Sequence, residues 1–191
     1  MPPRQNDLPA SEIYLPSEGP DAVESFLDPA TGLPQVHIVE QRYGGRTIWR
    51  FCHDLTGRLV TPSDRRLTAA GLIGVELRGS SHYEKAARAG DFRPGKQVTL
   101  LRQPDNKFDP NAVAVCANGS TAVAGYVNKQ KARRVAALLD DGSLTIEAMA
   151  LEGDPSGRLN GRIAIVIADP RLLDHVTSPR PETAAKPAHW V

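Results

Sequence analysis

Aromatic side chains are scarce in this chain: four Phe, four Tyr and two Trp make up 5% of 191 residues. An aromatic held in solvent therefore carries weight as a recognition element. Cysteine is scarcer still, at two. Cys52 and Cys116 form no CxxC, and the adjacent Cys52-His53 pair is poor chelation geometry, so no disulfide framework or zinc site is expected. Two buried free thiols in a reducing compartment fit better. No apolar run reaches the roughly 18 residues of a membrane span. Met1-Pro2-Pro3-Arg4-Gln5-Asn6-Asp7 lacks the basic-then-apolar order of a signal peptide. The expectation is a cytoplasmic protein, or a nuclear one in a eukaryote, with no membrane partner. Catalytic signatures are also missing. There is no GxxxxGK[ST], no HExxH and no GxSxG, and Pro94-Gly95-Lys96-Gln97 lacks both the earlier glycine and the hydroxyl residue of a phosphate loop. No enzyme chemistry and no cofactor are expected. A metal-dependent nuclease would need a third acid beside Asp105 and Asp109, and none is near in sequence.

One stretch stands out among what is present. Val98-Thr99-Leu100-Leu101 and Ala112-Val113-Ala114-Val115 have the short, apolar, β-branched character of buried strands. Between them, Pro104 and Pro110 donate no backbone hydrogen bond. Asp105, Asn106, Asp109 and Asn111 favour turns that bond their own backbone. The spacing predicts strand, stiff exposed loop, strand. Phe108 sits at the loop's centre among an amide, an ammonium and a carboxylate, an arrangement suited to recognition. The bland alternative is a loop aromatic folded onto the body, with Asp109 serving an Asp-Pro turn.

Charge is unevenly spread although the net is only +1. Residues 1–30 hold one basic and six acidic side chains, whereas residues 72–151 hold eleven basic and eight acidic. An acidic arm beside a mildly basic body is compatible with an anionic ligand.

The rest of the chain divides around these features. Residues 1–34, rich in Pro, Asp, Glu, Ser and Gly, read as a flexible acidic arm, with at most one docking turn near Val23–Leu27. Residues 35–71 read as a β-hairpin and connection. Gln35–Glu40 and Arg46–Phe51 alternate in polarity across Gly44-Gly45, which suits a tight turn; His37 reads as a satisfied structural histidine. Ser63 or Asp64 caps a short turn through Leu67. Residues 72–168 form the main unit, reading β, short helix, β, loop, β, β, helix, β, β. In the second helix Ala132, Val135, Ala136 and Leu139 share one face. Lys131, Arg133 and Arg134 read as a solvated face, and Tyr126 as core. Residues 169–191 read as a Pro-rich tail in which only Leu172–Val176 has folding potential. The fold class is mainly β with one or two helices: a small six-stranded barrel preceded by a hairpin.

This order resembles the HIRAN domain family. The marks are Gly74-Val75, His82-Tyr83, Arg93-Pro94-Gly95, Leu101-Arg102-x-Pro104-Asp105-Asn106, Phe108-Asp109-Pro110-Asn111-Ala112, Gly125-Tyr126-Val127 and Leu138-Leu139-Asp140-Asp141-Gly142. They cover about half the chain, from Leu72 to Ile167. The resemblance implies an OB-like barrel that captures the 3′ end of single-stranded DNA, with two aromatics sandwiching terminal bases and an acid meeting the 3′-hydroxyl. It places Phe108 as one stacking aromatic, with His82 or Tyr83 as the other. Asp109 becomes the hydroxyl acceptor, Asn106 a contact to the end nucleotide and Lys129 a phosphate ligand. Arg102 and Lys107 are further phosphate candidates beside the loop. The implied partners are single-stranded DNA or DNA 3′ ends, and a helicase or other protein supplied in trans. The last loop, Gly153 to Asn160, has no aromatic where helicase-type members offer one.

Two other readings stand beside this one. In the first, the chain is a non-catalytic interaction or structural adaptor that keeps the barrel and lacks the ligand; Ile48 and Trp49 would then form an exposed flat patch. In the second, the acidic arm lies in the basic groove and is displaced by DNA.

Overall fold

The structure is a computed structural model that describes residues 10–43, 45–153 and 162–188. Two antiparallel sheets organise it. The smaller contains β1 (Val36–Tyr43), β2 (Arg46–His53) and β3 (Leu59–Val60) in that order. The expected hairpin is therefore β1–β2, paired from Val36↔His53 to Tyr43↔Arg46. Gly45 takes φ 78 at its turn, a left-handed conformation that favours glycine.

The larger sheet joins β4 (Ile73–Glu76), β5 (Gln97–Arg102), β6 (Val113–Ala117), β7 (Val123–Tyr126), β8 (Glu147–Glu152) and β9 (Ala164–Ala168) in the order β4-β9-β8-β5-β6-β7. Its two edges meet. Just beyond β4, Arg78 exchanges two backbone bonds of 2.9 Å with Tyr126 of β7, which closes the six strands into a barrel. The closure needs a glycine: a Cβ on Gly125 would lie 3.1 Å from the Arg78 carbonyl oxygen and 3.2 Å from Leu77 Cβ. Two helices belong to the barrel, α3 (Glu84–Ala89) and α4 (Lys129–Asp141). Asn128 caps α4 by accepting from the Lys131 N–H at 3.1 Å, and Gly142 ends it at φ 64. The barrel's inner core combines Ile73, Val75, Phe92, Val113, Val115 and Val127 with Ala132, Val135 and Ala136 of α4.

Strands β8 and β9 are buried on both faces. Ala148, Ala150, Ile165 and Ile167 point into the barrel. Met149, Leu151, Ala164, Val166 and Ala168 point outward into a second core with Phe26, Val36, Phe51, Leu67, Leu72 and Val176. A bulge between Ala150 and Glu152 brings Glu152 onto the hairpin as well, where it accepts from Arg50 at 2.7 Å.

This second core corrects the expectations for residues 13–34 and 169–188; residues 1–9 of the expected arm and 189–191 of the expected tail lie outside the described residues. Residues 13–34 are anchored at intervals: Ile13, Leu15 and Phe26 are buried, and Leu15 donates to Leu59 O at 2.9 Å. Buried Arg66 anchors the segment. It chelates Asp64, the N-cap of α2 (Arg65–Ala69), and donates to Pro16 O at 2.9 Å and Val23 O at 3.1 Å. Its guanidinium also lies 4.8 Å over the Phe26 ring. Nor is the C-terminal part a free tail. Helix α5 (Pro170–Thr177) buries Leu173 and Val176, and residues 180–188 continue along the hairpin through Ala185 N–H to Asp54 O and Ala188 N–H to Gly57 O, both 2.7 Å. Together with α1 (Ala10–Ile13), five short helices occur among the described residues, two of them in the barrel. None is long and apolar enough to cross a membrane.

His37 is a structural histidine, 3% exposed, with Nδ1 2.8 Å from Asp54. Both cysteines are buried free thiols. Burial pushes the Cys52 thiol up to about 11, so it stays protonated and unreactive. Lys131 is not on a solvated face. It is half-buried and donates to Gly74 O at 2.5 Å and Pro62 O at 3.5 Å, and its burial lowers its pKa. The patch needed for an exposed adaptor surface is also reduced, because Ile48 is buried and Trp49 is half-buried against Gly95.

Two predictions follow from the second core. Phe26→Ala will destabilise the fold by about 3–5 kcal/mol in urea unfolding, the cost of a large buried aromatic; a flexible arm would lose almost nothing. His53 is fully buried, bonds Thr56 Oγ1 at 3.0 Å, and leaves Nε2 without a partner. Burial holds its pKa below 6.5, with the Asp54 charge opposing and Arg66 and Arg180 assisting. The unfolded chain therefore binds this proton more readily than the folded one, and stability falls as pH drops below the unfolded value. Wild type will lose stability relative to His53→Phe by at most about 1.4 kcal/mol per pH unit between pH 6.5 and 5. Parallel pH profiles in chemical denaturation would remove His53 as the source.

Candidate nucleic-acid interface

The loop between β5 and β6 is held open by its own polar groups. Gln103 N–H donates to Ala112 O at 3.0 Å across its neck, and Ala112 N–H to Asp109 O at 2.9 Å. Asn106 Oδ1 accepts from the N–H groups of Phe108 (3.0 Å) and Asp109 (3.4 Å), while Asp109 Oδ1 accepts from Asn111 N–H at 2.8 Å. These are the Asx turns that the Asn/Asp spacing predicts. They fix the backbone without drawing the tip inward. Phe108 is 82% exposed, the most exposed of the large hydrophobic side chains described. It is not folded onto the barrel.

Three other pieces of chain reach the same end of the barrel. β7 ends at Tyr126 beside the start of β6, with Val127 N–H on Val113 O at 3.0 Å. Its continuation, Asn128-Lys129, begins α4, so Lys129 is exposed at the N-terminus of a 13-residue helix. The Arg78–Tyr126 bridge brings in the turn that carries His82 and Tyr83. The Tyr83 ring lies 5.7 Å from the Tyr126 ring at 57°. Tyr126 then donates its hydroxyl to Gln103 Oε1 at 3.1 Å, and Asn106 Nδ2 donates to that same oxygen at 3.1 Å.

Of the predicted residues, the fold gathers Asn106, Phe108, Asp109, Tyr83 and Lys129 at one end of the barrel. Tyr83 is the member of its pair that joins the loop's network; His82 is exposed and bonds Gly79 O through its backbone. Lys107 lies with its ammonium 4.9 Å from the Phe108 ring centroid. Arg102 is committed elsewhere. It holds Asp140 with Nε at 3.1 Å and donates Nη1 to Pro110 O at 2.7 Å, tying the loop to the end of α4. The part of the last loop at 154–161 lies outside the described residues. Sequence reasoning missed Gln103 and treated Tyr126 as core. Tyr126 is half-buried, and burial raises its pKa above the ordinary tyrosine value. The available signal was an amide next to the loop and a tyrosine, rather than an aliphatic residue, at the strand's end. Among the described residues, no cluster of three or more His, Cys, Asp or Glu is placed to hold a metal ion.

Phe108 makes no use of burial for stability. Phe108→Ala will leave the unfolding free energy within about 0.5 kcal/mol of wild type; a larger loss in denaturant melts would mean that the ring packs on the body.

Comparisons with known proteins place the barrel. No curated protein matches the chain. A Lactobacillus plantarum protein of solved structure is 21% identical and covers 49% of this chain and 87% of its own, with a TM-score of 0.42. The crystal structure of the HIRAN domain of human HLTF is 19% identical over 62% of this chain and 93% of its own, also at 0.42. An NMR structure of the HLTF HIRAN domain in its DNA-bound conformation is 20% identical over 56% of this chain and 82% of its own, at 0.35. At the level of sequence, residues 70–168 match the HIRAN domain. That segment spans the whole barrel from β4 to β9 together with the exposed loop, and the chain belongs to the HIRAN domain family.

Proposed function

We propose that the chain is a nucleic-acid-binding module that takes the free 3′ end of single-stranded DNA on the loop between β5 and β6. The observation that carries this reading is Phe108, 82% exposed on a loop whose backbone is held by its own side chains. A large ring kept in water is poor economy for folding and a good platform for a base, whose stacking contributes about 1–3 kcal/mol. Tyr83, 38% exposed, supplies the second aromatic.

Asp109 supports an end over an internal site. A carboxylate is a poor neighbour for phosphate and a good acceptor for a hydroxyl. One of its oxygens is used on Asn111 N–H, and a carboxylate has capacity for further donors. Lys129, at a helix N-terminus, and Lys107, beside the ring, supply positive charge for the adjoining phosphates. Nothing in this arrangement requires a reaction, so the module's role in this reading is binding, with a helicase or other protein as a partner.

Fluorescence anisotropy with short oligonucleotides tests it. The 3′-hydroxyl form will bind more tightly than the 3′-phosphate form, Phe108→Ala will weaken binding by about 5- to 150-fold, and Asp109→Ala will erase the preference. Lys129→Ala will lower the salt slope by about 0.7. Equal affinity for the two ends would refute end recognition.

A further inference from the structure

The polar chain behind the loop has a fixed direction, and one residue sits at its centre. The Phe108 and Asp109 N–H groups are backbone donors and cannot reverse. Both point at one atom of Asn106, which must therefore be its carbonyl oxygen. The Asn106 amide nitrogen then faces Gln103, 3.1 Å away, and a donor there requires Gln103 to present its own carbonyl oxygen. That oxygen also meets the Tyr126 hydroxyl at 3.1 Å, so Tyr126 has to donate its proton. The Tyr83 ring packs beside the Tyr126 ring, 5.7 Å between centroids. The backbone of the loop thus dictates proton positions from Phe108 back to Tyr126. Gln103 Oε1 is the one atom on which both halves converge.

Two further features give this geometry a consequence. Gln103 is the first residue after β5, and its N–H closes the loop neck on Ala112 O at 3.0 Å. Its backbone position is therefore fixed by the sheet while its side chain reaches both walls of the proposed site. Tyr126 is equally fixed, since its N–H and C=O both bond Arg78. The Asn106 side chain orients the Phe108–Asp109 peptide, but on a proline-bounded loop it has to be oriented itself. The Gln103 carbonyl does this.

We propose that Gln103 is the positioning residue of the DNA-end site: it accepts from Asn106 on the loop and from Tyr126 on the barrel, and so fixes the Phe108–Asp109 wall relative to the Tyr83–Tyr126 wall. It touches neither base nor phosphate in this role. The inference rests on the end-binding reading for its functional part; the ordering of the loop stands without it. Discrimination at the 3′ end depends on where Asp109 is held, so loss of Gln103's acceptor acts on selectivity as well as affinity.

The test uses Gln103→Met, which keeps length and removes the acceptor, Gln103→Glu, which restores an acceptor for both donors, and Tyr126→Phe, which removes one donor while keeping the ring. In the free protein, NMR amide exchange of Phe108 will speed several-fold in Gln103→Met and stay near wild type in Gln103→Glu. With oligonucleotides, Gln103→Met will lower the preference for 3′-hydroxyl over 3′-phosphate by about three- to tenfold, the range of one ordinary hydrogen bond, and Gln103→Glu will recover it. The added charge of glutamate weakens both oligonucleotides alike, so the ratio is the proper readout. Combining Gln103→Met with Tyr126→Phe will cost no more than the worse single change, because both remove the same bond. Wild-type exchange and wild-type selectivity in Gln103→Met would overturn the proposal. If wild type binds no single-stranded DNA, the end-binding reading fails, and the exchange rates alone decide whether Gln103 orders the loop. Should Gln103→Met fail to fold, Tyr126→Phe carries the same two measurements.

Discussion

The constraint on which the molecule depends is the burial of β8 and β9 on both faces. In a small barrel the inner side chains fill the interior and the outer ones can face water. Here the outer positions Met149, Leu151, Ala164, Val166 and Ala168 are as apolar as the inner ones. Left uncovered, they would form a contiguous apolar patch of the kind that drives association. The hairpin, residues 13–34 and α5 are the cover. They reach the barrel through Phe26, Phe51, Leu67 and Val176, and through the Arg50–Glu152 ion pair. The family segment is thus bound into its flanks on both sides, although the match itself stops at residue 168.

That constraint also separates support from function. In the closed sheet, β8 and β9 adjoin each other, while β6 and β7 lie across the barrel from them. The flanking parts cover the β8–β9 side. The exposed loop, Tyr126 and the start of α4 belong to β6 and β7. Within the acidic N-terminal segment, Leu15, Pro16, Val23 and Phe26 are held by Leu59, Arg66 and the second core, which docks this stretch on the β8–β9 side of the barrel and away from the exposed loop.

Legibility from sequence followed the range of the signal. Where a residue announces its own conformation, the reading held: Gly45 at the hairpin, the Asx residues of the loop and the apolar arms on either side. The last two strands were read as strands, but their burial on both faces was not. What is anchored by single residues at long range was not legible. Ile13, Leu15 and Phe26 are too far apart to show a period, and a Pro- and acid-rich background looks like disorder. Arg66, reaching Pro16 and Val23, is no different in sequence from a surface arginine. Lys131 was misread for the complementary reason: its helical phase puts it off the apolar face, and only the approach of Gly74 and Pro62 surrounds it. At the candidate site the presenting residues were legible, because Phe108, Asp109 and Asn106 are local to one loop. Gln103 and Tyr126, which join that loop to another strand, were not.

For the proposed DNA-end site, the surrounding charges favour a short footprint over tracking along a strand. Non-specific affinity for nucleic acid grows with the number of phosphates neutralised. Around the loop, Arg102 is already paired with Asp140, and Lys131 is tied to backbone carbonyls. Lys107 and Lys129 remain exposed, against the exposed Asp105 and the half-buried Asp109. A local balance near zero gives little pull on a long polyanion. The groups with most to offer are an exposed ring and a carboxylate, and neither acts mainly through the phosphate backbone: the ring needs an unstacked base, and the carboxylate needs a hydroxyl. A strand terminus presents both at once, whereas the interior of a DNA strand has no free 3′-hydroxyl. On the proposed end-binding reading, selectivity is therefore set by how firmly Phe108 and Asp109 are placed, more than by how much charge surrounds them.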